Sequence, residues 1–511
     1  MERVEQVAIV DADDPGLIVG VVGAGAMGQG IAQVSAMGGM HVLLHDASEQ
    51  GAEAGRKAIC GRIERLAEKG RIDASEAAEM CGRLQVVAAL TDFAECHAVV
   101  EAIFEDLEIK QNLFAELEQV VSDDCVIASN TSSLLIASIA RNCRLKHRIG
   151  GMHFFNPVPL MRLVEIVRGP DTDETTIGFL TGLGTRMGRT PVTVKDAPGF
   201  LVNLGGRAYT TEAMRLLHER VATPAQIDAV MRDCGGFRMG PCELMDLTGV
   251  DVNFPVSQII YDGYMHDPRL KTSFPHRYLM EAGRFGRKTG QGNYLYGDDG
   301  AMTGFDSPDH TTDAAPATTI ILVEAEDQLI DFSQSLGCRV LQQDDGASPL
   351  LAAPLGEDCT SFAARTGCDH QRLVGVDLQC NTQARVTVMT APGADLVIRD
   401  SVATTIAESG PAVTVIADST GFIAQRMQAM VANLGCEMAQ IGIAEPEQID
   451  LAMKLGLNYP RGPLELAEHL GLDVTLAILE RMHWITGDDR YRPSLWLKRR
   501  ALLDLPCHTP N

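Results

Sequence analysis

The 511-residue sequence contains no cysteine pair spaced C-x-x-C, although it holds 13 cysteines. Scattered thiols in odd number fit neither a disulfide framework nor a zinc site, and point to reduced cysteines in a cytosol. No metal site is expected. The chain also lacks any apolar run of roughly 18 residues or more, which excludes a hydrophobic membrane-spanning helix. The first residues, MERVEQVAIVDADDPG, carry acids where a secretory signal needs a basic start and an apolar core, so a cytoplasmic location is expected. Positive charge is scarce: 43 Lys and Arg stand against 68 Asp and Glu, a net charge of −25. Such a field repels nucleic acid and anionic membranes, so an anionic ligand must be drawn in by a local patch. What remains is an ordinary globular composition, 45% hydrophobic, in a chain long enough for several domains.

The first positive signal is LIVGVV (17–22), a short apolar run suited to a buried parallel strand. It leads directly into GAGAMG, where Gly23, Gly25 and Gly28 satisfy G-x-G-x-x-G and Ala26 and Met27 open a helix-patterned stretch. A second strand pattern, HVLLHD, ends in Asp46. The first glycine permits a tight turn, the second admits a pyrophosphate to the backbone, and the third lets helix and strand pack closely. Asp46 would accept hydrogen bonds from a ribose and repel a 2′-phosphate, which favours NAD over NADP. The stretch GRKAICGRIERLAEKGR (55–71) contains Arg62 and Lys69 and is the main basic patch, although interleaved acids also suit a solvated helix face.

Four further segments bear on chemistry: VVEAIFEDLEIK (99–110), ASNTSSL (128–134), HFFNPVPLMRLVEIV (153–167) and DAPGFLVN (196–203). His153 precedes a stiff turn containing Asn156, Pro157 and Pro159, and Glu165 interrupts the apolar run LVEIV. A carboxylate in such a run needs a partner, and a histidine oriented by a carboxylate is a suitable base for a hydroxyl proton. A structural histidine and a solvent-facing Glu165 remain open on spacing alone. Together, in this order, the motifs resemble the 3-hydroxyacyl-CoA dehydrogenases over residues 15–297, with GRFGRKTGQGNYLY (283–296) similar to the closing motif of their helical domain.

The resemblance implies an α/β Rossmann-type NAD-binding domain followed by an all-α domain. It further implies His153 as base, Glu165 as its orienting partner, and Ser132 and Asn203 holding the substrate. On the cofactor side it implies Gly23, Gly25, Ala26, Met27, Gly28, Asp46, Glu105, Lys110, Ser132, Asn156 and Lys288 for NAD. Arg62 and Lys69 fall in the region that would contact coenzyme A. One departure is Leu204 and Gly205 after Asn203, where the family usually has Arg. The expected reaction is NAD-dependent oxidation of a (3S)-3-hydroxyacyl-CoA, favoured at higher pH because a proton is released.

The chain then repeats itself. Residues 196–251 align without a gap on 418–473 at a constant offset of 222, from Asp196/Asp418 through Gly240-Pro241/Gly462-Pro463 to Asp251/Asp473. Register kept over so many positions marks an internal duplication. Each copy reads as a long helix after Gly-Phe, a second opening at Ile-Asp, and a third after Gly-Pro. Gln425 replaces Asn203, with a longer side chain expected to displace its amide. Asp377 and Thr387 can be laid on His153 and Glu165. The layout read from sequence is a Rossmann domain over 15–197, a helical domain over 198–297 and a linker over 298–317. A degenerate α/β domain over 318–417 and a second helical domain over 418–511 follow. The second half is expected to act structurally, as the internal partner of a pseudo-dimer, with further homodimerisation open. The fused form resembles the 3-hydroxyadipyl-CoA branch of the family; 3-hydroxybutyryl-CoA oxidation and a non-catalytic NAD-binding role are the alternatives. Arg162, Arg207 and Arg215 are candidates to meet a terminal carboxylate.

Overall fold

The computed structural model describes residues 9–511; residues 1–8, with half of the acidic N-terminal stretch, lie outside the described residues. The chain forms two compact units, one of residues up to Leu204 with Gly442–Leu457, the other of Gly205–Ile441 with Asn458–Asn511.

The first unit is built on eight strands: β1 (Ile18–Val22), β2 (His41–His45), β3 (Leu84–Val86), β4 (Ala98–Glu101), β5 (Val126–Ser129), β6 (Ile149–Phe154), β7 (Leu163–Arg168) and β8 (Thr190–Lys195). Their order is β3-β2-β1-β4-β5-β6-β7-β8, parallel except at β6–β7, so the last two strands run opposite to the first six. The central strands of this sheet are buried on both faces, which is why LIVGVV reads as a continuous apolar run instead of alternating. Val19, Val21, Val42, Leu44, Val164 and Ile166 are completely buried in its core. The β1 crossover helix Ala26–Met37 begins immediately after the glycine turn. Late in the chain, the Pro446–Leu457 helix packs onto β7 and β8. A side chain at Gly456 would come within 3.1 Å of Leu163 and Val202.

The second unit opens with helices Arg207–His218, Pro224–Asp233, Pro241–Thr248, Val250–Gly263 and Phe274–Glu281 and the small hairpin β9 (Leu295–Tyr296)/β10 (Met302–Thr303). A six-stranded sheet follows: β11 (Thr319–Leu322), β12 (Arg339–Val340), β13 (Leu350–Ala352), β14 (Leu373–Val376), β15 (Arg385–Met389) and β16 (Ala412–Ile416), ordered β12-β11-β13-β14-β15-β16. It has its own core, with Leu351, Val376, Val386, Val388 and Ile406 at 0% exposure. Its only antiparallel neighbours are β14 and β15, echoing β6 and β7. Helices Ile423–Gln440, Pro463–Leu470, Leu472–Thr486 and Leu495–Leu503 complete the unit.

The two copies differ from the sequence reading in detail. The helix after Gly-Phe is continuous in the second copy (Ile423–Gln440), whereas in the first it breaks into Val202–Gly205 and Arg207–His218. Two consecutive glycines, Gly205 and Gly206, occupy that break, where backbone entropy weakens a helix. The next helix starts at Pro224 and Pro446, upstream of Ile-Asp, because proline is tolerated at a first helical position. Asp228 of the Ile-Asp pair serves instead as a buried acceptor, taking Cys242 N–H, Glu243 N–H and the Tyr294 hydroxyl. No helix among the described residues is long and apolar enough to cross a membrane.

Candidate active site

The glycine turn, Asp46, the Ser-Asn-Thr-Ser-Ser loop and His153 lie at the carboxyl ends of β1, β2, β5 and β6, where open α/β sheets bind ligands. After β1, Gly23 adopts φ +105°, and a Cβ there would meet Ala102 O at 2.5 Å. A Cβ at Gly28 would collide with the Gly23 carbonyl. These two glycines are required by the turn itself. Gly25 is different: a Cβ there meets nothing within 4 Å, so no protein atom explains the missing side chain. The space belongs to a groove of about 740 Å³ lined by Gly23, Gly25, Ala26, Met27, Asp46 and Asn112. A dinucleotide fits these residues: its pyrophosphate at Gly25 and the N-terminus of the Ala26–Met37 helix, its ribose at Asp46. Asp46 is held by Ala24 N–H at 2.8 Å and Ser48 N–H at 3.0 Å, which aims it at the groove's rim.

On the other side of β1 lies a charged knot that joins the expected Glu105 and Lys110 to Glu101, which the sequence reading missed. Glu101, the last residue of β4, is completely buried and contacts the Lys110 ammonium at 2.5 Å. It also accepts Ile103 N–H at 2.7 Å and the Ser129 hydroxyl at 2.6 Å. Lys110 is itself 1% exposed and reaches Glu105 at 3.3 Å. Glu105 in turn accepts the Thr131 hydroxyl (2.7 Å) and the N–H groups of Ser132 (2.9 Å) and Ser133 (3.0 Å). Burial alone would raise the Glu105 pKa, but the Thr131 hydrogen bond and the Lys110 charge outweigh it and hold the carboxyl below its ordinary value. The knot fixes the Ser-Asn-Thr-Ser-Ser loop. The only sequence signal for Glu101 was an acid ending an apolar strand.

β6 and β7 bring the central pair together: in their antiparallel register His153 faces Glu165. Nδ1 of His153 lies 2.6 Å from Glu165 Oε2, and both side chains are buried. The second carboxylate oxygen accepts Val202 N–H at 2.8 Å and Leu201 N–H at 3.1 Å, donors presented by the Gly-Phe turn. That turn holds Phe200 at φ +47°, a left-handed conformation that a bulky residue rarely adopts. The ring of Phe200 then lies 5.7 Å from the His153 ring, with Phe155 at 4.6 Å on another side. Asn203 reaches the same place, its amide 3.5 Å from the Ser132 carbonyl. The solvent-facing alternative for Glu165 is therefore excluded. Asn156 is exposed and precedes the cis Pro157.

Of the basic candidates, Arg62 lies half-buried on the Glu49–Glu68 helix, donating to Gln33 Oε1 at 2.8 Å and Gln29 Oε1 at 3.2 Å on the glycine-loop helix. Lys69 is exposed at the end of the same helix. Lys288 belongs to the second unit, where it pairs with Asp251 at 2.5 Å. Arg207 is buried against Ser257 Oγ (2.7 Å) and Arg215 is bound to Glu219 (2.6 Å), whereas Arg162 is exposed just before β7.

The second unit contains the matching but altered constellation. Asp377 N–H donates to Thr387 O, so these residues face each other as His153 and Glu165 do. Gln425 does not leave its position vacant: its Oε1 accepts Gly356 N–H at 2.8 Å, and its Nε2 donates to Pro354 O and Asp377 Oδ1. The added methylene has turned a candidate substrate contact into an internal plug. The repeated aspartates also acquire a role. Asp196 accepts Ile136 and Ala137 N–H, and Asp418 accepts Cys359 and Thr360 N–H, each capping the helix after an equivalent strand.

Comparison with known proteins agrees with this geometry. Residues 18–197 match the family described as 3-hydroxyacyl-CoA dehydrogenase, NAD binding domain, and residues 199–296 and 421–505 each match its C-terminal domain. The chain is 34% identical over 490 residues to 3-hydroxyadipyl-CoA dehydrogenase of Escherichia coli K12, covering 95% of this chain and 98% of that one. A probable 3-hydroxybutyryl-CoA dehydrogenase of Deinococcus radiodurans is 39% identical but spans 54% of this chain, with 99% of its own length covered. Among solved structures, 3-hydroxybutyryl-CoA dehydrogenase from E. coli K12 superposes with a TM-score of 0.83 at 34% identity, covering 96% of this chain and 98% of that one. The chain belongs to the 3-hydroxyacyl-CoA dehydrogenase family, as an NAD-binding oxidoreductase of 3-hydroxyacyl-CoA thioesters.

Proposed function

We propose that the chain oxidises (3S)-3-hydroxyadipyl-CoA to the 3-oxo thioester, using His153 as general base and Glu165 as its positioning partner. The observation carrying the chemistry is the 2.6 Å contact between His153 Nδ1 and Glu165. It consumes one ring nitrogen and leaves Nε2 to accept the substrate's hydroxyl proton. The Val202 and Leu201 N–H groups fix one oxygen of Glu165, so the other faces the imidazole and stabilises the imidazolium that forms. Ser132 and Asn203 orient the C3 oxygen where negative charge develops. NAD, when bound, supplies the acceptor for the hydride that leaves C3.

Gly23, Gly25, Ala26, Met27 and Gly28 bind the pyrophosphate and Asp46 the adenosine ribose. Glu105, Ser132 and Asn156 serve the nicotinamide end. Lys110, buried beneath Glu105, acts there by holding that carboxylate. Arg62 and Lys69 attract the coenzyme A phosphates to a chain that is otherwise strongly acidic.

The adipyl assignment is supported by likeness over nearly the full length, second half included, to an enzyme named for that substrate. The similarly extensive likeness to a structure named for 3-hydroxybutyryl-CoA supports a second reading. Steady-state turnover on the two thioesters tests them. A kcat/KM at least tenfold higher for the adipyl ester is expected, and a preference for the butyryl ester would refute it.

A further inference from the structure

The internal duplication permits a position-by-position comparison of the helical core, and one cluster breaks the symmetry completely. In the second unit, Glu212 on the Arg207–His218 helix is fully buried and pairs with Arg426 on Ile423–Gln440 at 2.7 Å. Arg426 also reaches Glu219 (2.8 Å), Ser419 Oγ (3.0 Å) and the Tyr491 hydroxyl (2.7 Å). The Tyr491 hydroxyl closes the ring by donating to Glu212 at 3.0 Å.

Every polar member of this ring has an apolar counterpart in the other copy. At the offset of 222, Arg426 corresponds to Leu204, Ser419 to Ala197, Glu212 to Leu434 and Glu219 to Ile441. Tyr491 corresponds to Leu270, since each ends a short turn capped by an aspartate, Asp488 and Asp267. Leu204, Leu434, Leu270 and Ala197 are all buried. What the copies share is the middle residue of those turns: Arg490 approaches Glu212 at 3.5 Å, and its counterpart Arg269 approaches Glu437 at 3.7 Å. Within the second unit the two repeats therefore meet through a polar cluster whose counterparts in sequence are apolar.

We infer that the face of the first helical repeat is built to accept the second repeat and to reject another copy of itself. Pairing two first repeats would set Glu212 of each against Leu204, Ala197 and Leu270 of the other, so that this fully buried carboxylate loses the Arg426 guanidinium and the Tyr491 hydroxyl, while Glu219 keeps only Arg215 of its own helix. Pairing two second repeats would set Arg426 against Leu434 and Ile441. Only the unlike pair brings the buried Glu212 and the buried Arg426 together, and a buried charge that loses its close partner is among the strongest penalties available to a protein interface. The asymmetry matters because a half-length relative covers only 54% of this chain. It makes the fused second half a dedicated partner instead of one of two interchangeable copies.

The test uses the folded full-length chain with a specific protease site placed in the exposed segment 298–317, nicked after purification and analysed by native mass spectrometry. The nicked protein is expected to hold its two fragments as unlike pairs only, at every concentration. The variant E212L/E219I, nicked in the same way, replaces the carboxylates of the first fragment's face with hydrocarbon. Like pairs of first fragments are expected to appear and to become the major species. Like pairs from the unsubstituted chain would overturn the inference. So would a nicked variant that yields only unlike pairs or only separate fragments. The intact E212L/R426L chain, which gives the central pair of the polar cluster the identity of its counterparts Leu434 and Leu204, should recover at least half the thermal stability lost by R426L alone. If the losses simply add, charge pairing is not what selects the partner.

Discussion

Replacing Glu165 with Gln isolates what the carboxylate does for His153, because shape is almost unchanged while hydrogen-bond polarity is not. One oxygen of Glu165 accepts two backbone N–H groups, from Leu201 and Val202, and both are buried. A Gln carbonyl must take over that duty, since turning the amide would aim donors at donors. The NH2 group is then left facing His153 Nδ1, 2.6 Å from where the carboxylate oxygen stood. Nδ1 must become an acceptor, the ring proton moves to Nε2, and the nitrogen that should receive the substrate's proton is already occupied. The imidazolium also loses its counter-charge. A wrong tautomer of this kind reduces kcat by about 10⁴-fold in the serine-protease triad, so a loss of 10³ to 10⁴, about 4–5.5 kcal/mol of barrier, is expected for E165Q. Because Glu165 is buried behind the imidazole, KM for the thioester and NADH affinity should change by less than about threefold. Initial rates of NADH formation with saturating 3-hydroxyacyl-CoA measure kcat, and NADH fluorescence titration checks binding. A kcat within tenfold of wild type, or a defect confined to KM, would refute the assignment of base and partner.

Gly25→Ala should leave the melting temperature unchanged, since its Cβ enters space that no protein atom uses, yet weaken NADH binding at least tenfold by calorimetry. A lowered melting temperature with unchanged binding would contradict the cradle. Lys110→Met strands the buried Glu101 carboxylate and should cost about 3–5 kcal/mol in urea unfolding, with NAD affinity falling as the Glu105 loop loosens. A loss below about 1 kcal/mol would mean that Glu101 is satisfied without it. In the second unit, burial holds the Asp377 carboxyl up at about 6, against 3.8 for a free one, despite the bond from Gln425. Its favourable contribution is thus complete below about pH 4 and lost as pH rises through 6, an effect on the order of 2–3 kcal/mol. Asp377→Asn should flatten that part of the stability–pH curve and be more stable than wild type at pH 7; an unchanged slope in urea titrations would show the carboxyl to be solvated.

The local rules were legible because they are set by backbone geometry and nearest neighbours. The glycine spacing, the buried strand that precedes it and the acid ending the second strand specify a dinucleotide turn whatever surrounds them. The duplication is likewise a property of the string, since a constant offset needs no coordinates. His153 and Glu165 could be named, but spacing left their pairing open; the antiparallel register of β6 and β7 made them partners. Tertiary structure alone decided the residues that act through space over long separations. Glu101 meets Ser129 across 28 residues, Arg426 meets Glu212 across 214, and Gln425 finds Asp377 across 48. None has a local signature, because a buried charge or amide is paid for by whichever distant partner the folded chain delivers. Sequence therefore determined the turn, the repeat and the candidate reacting groups, while packing determined which carboxylate faces His153 and how Gln425 fills the matching place in the second unit.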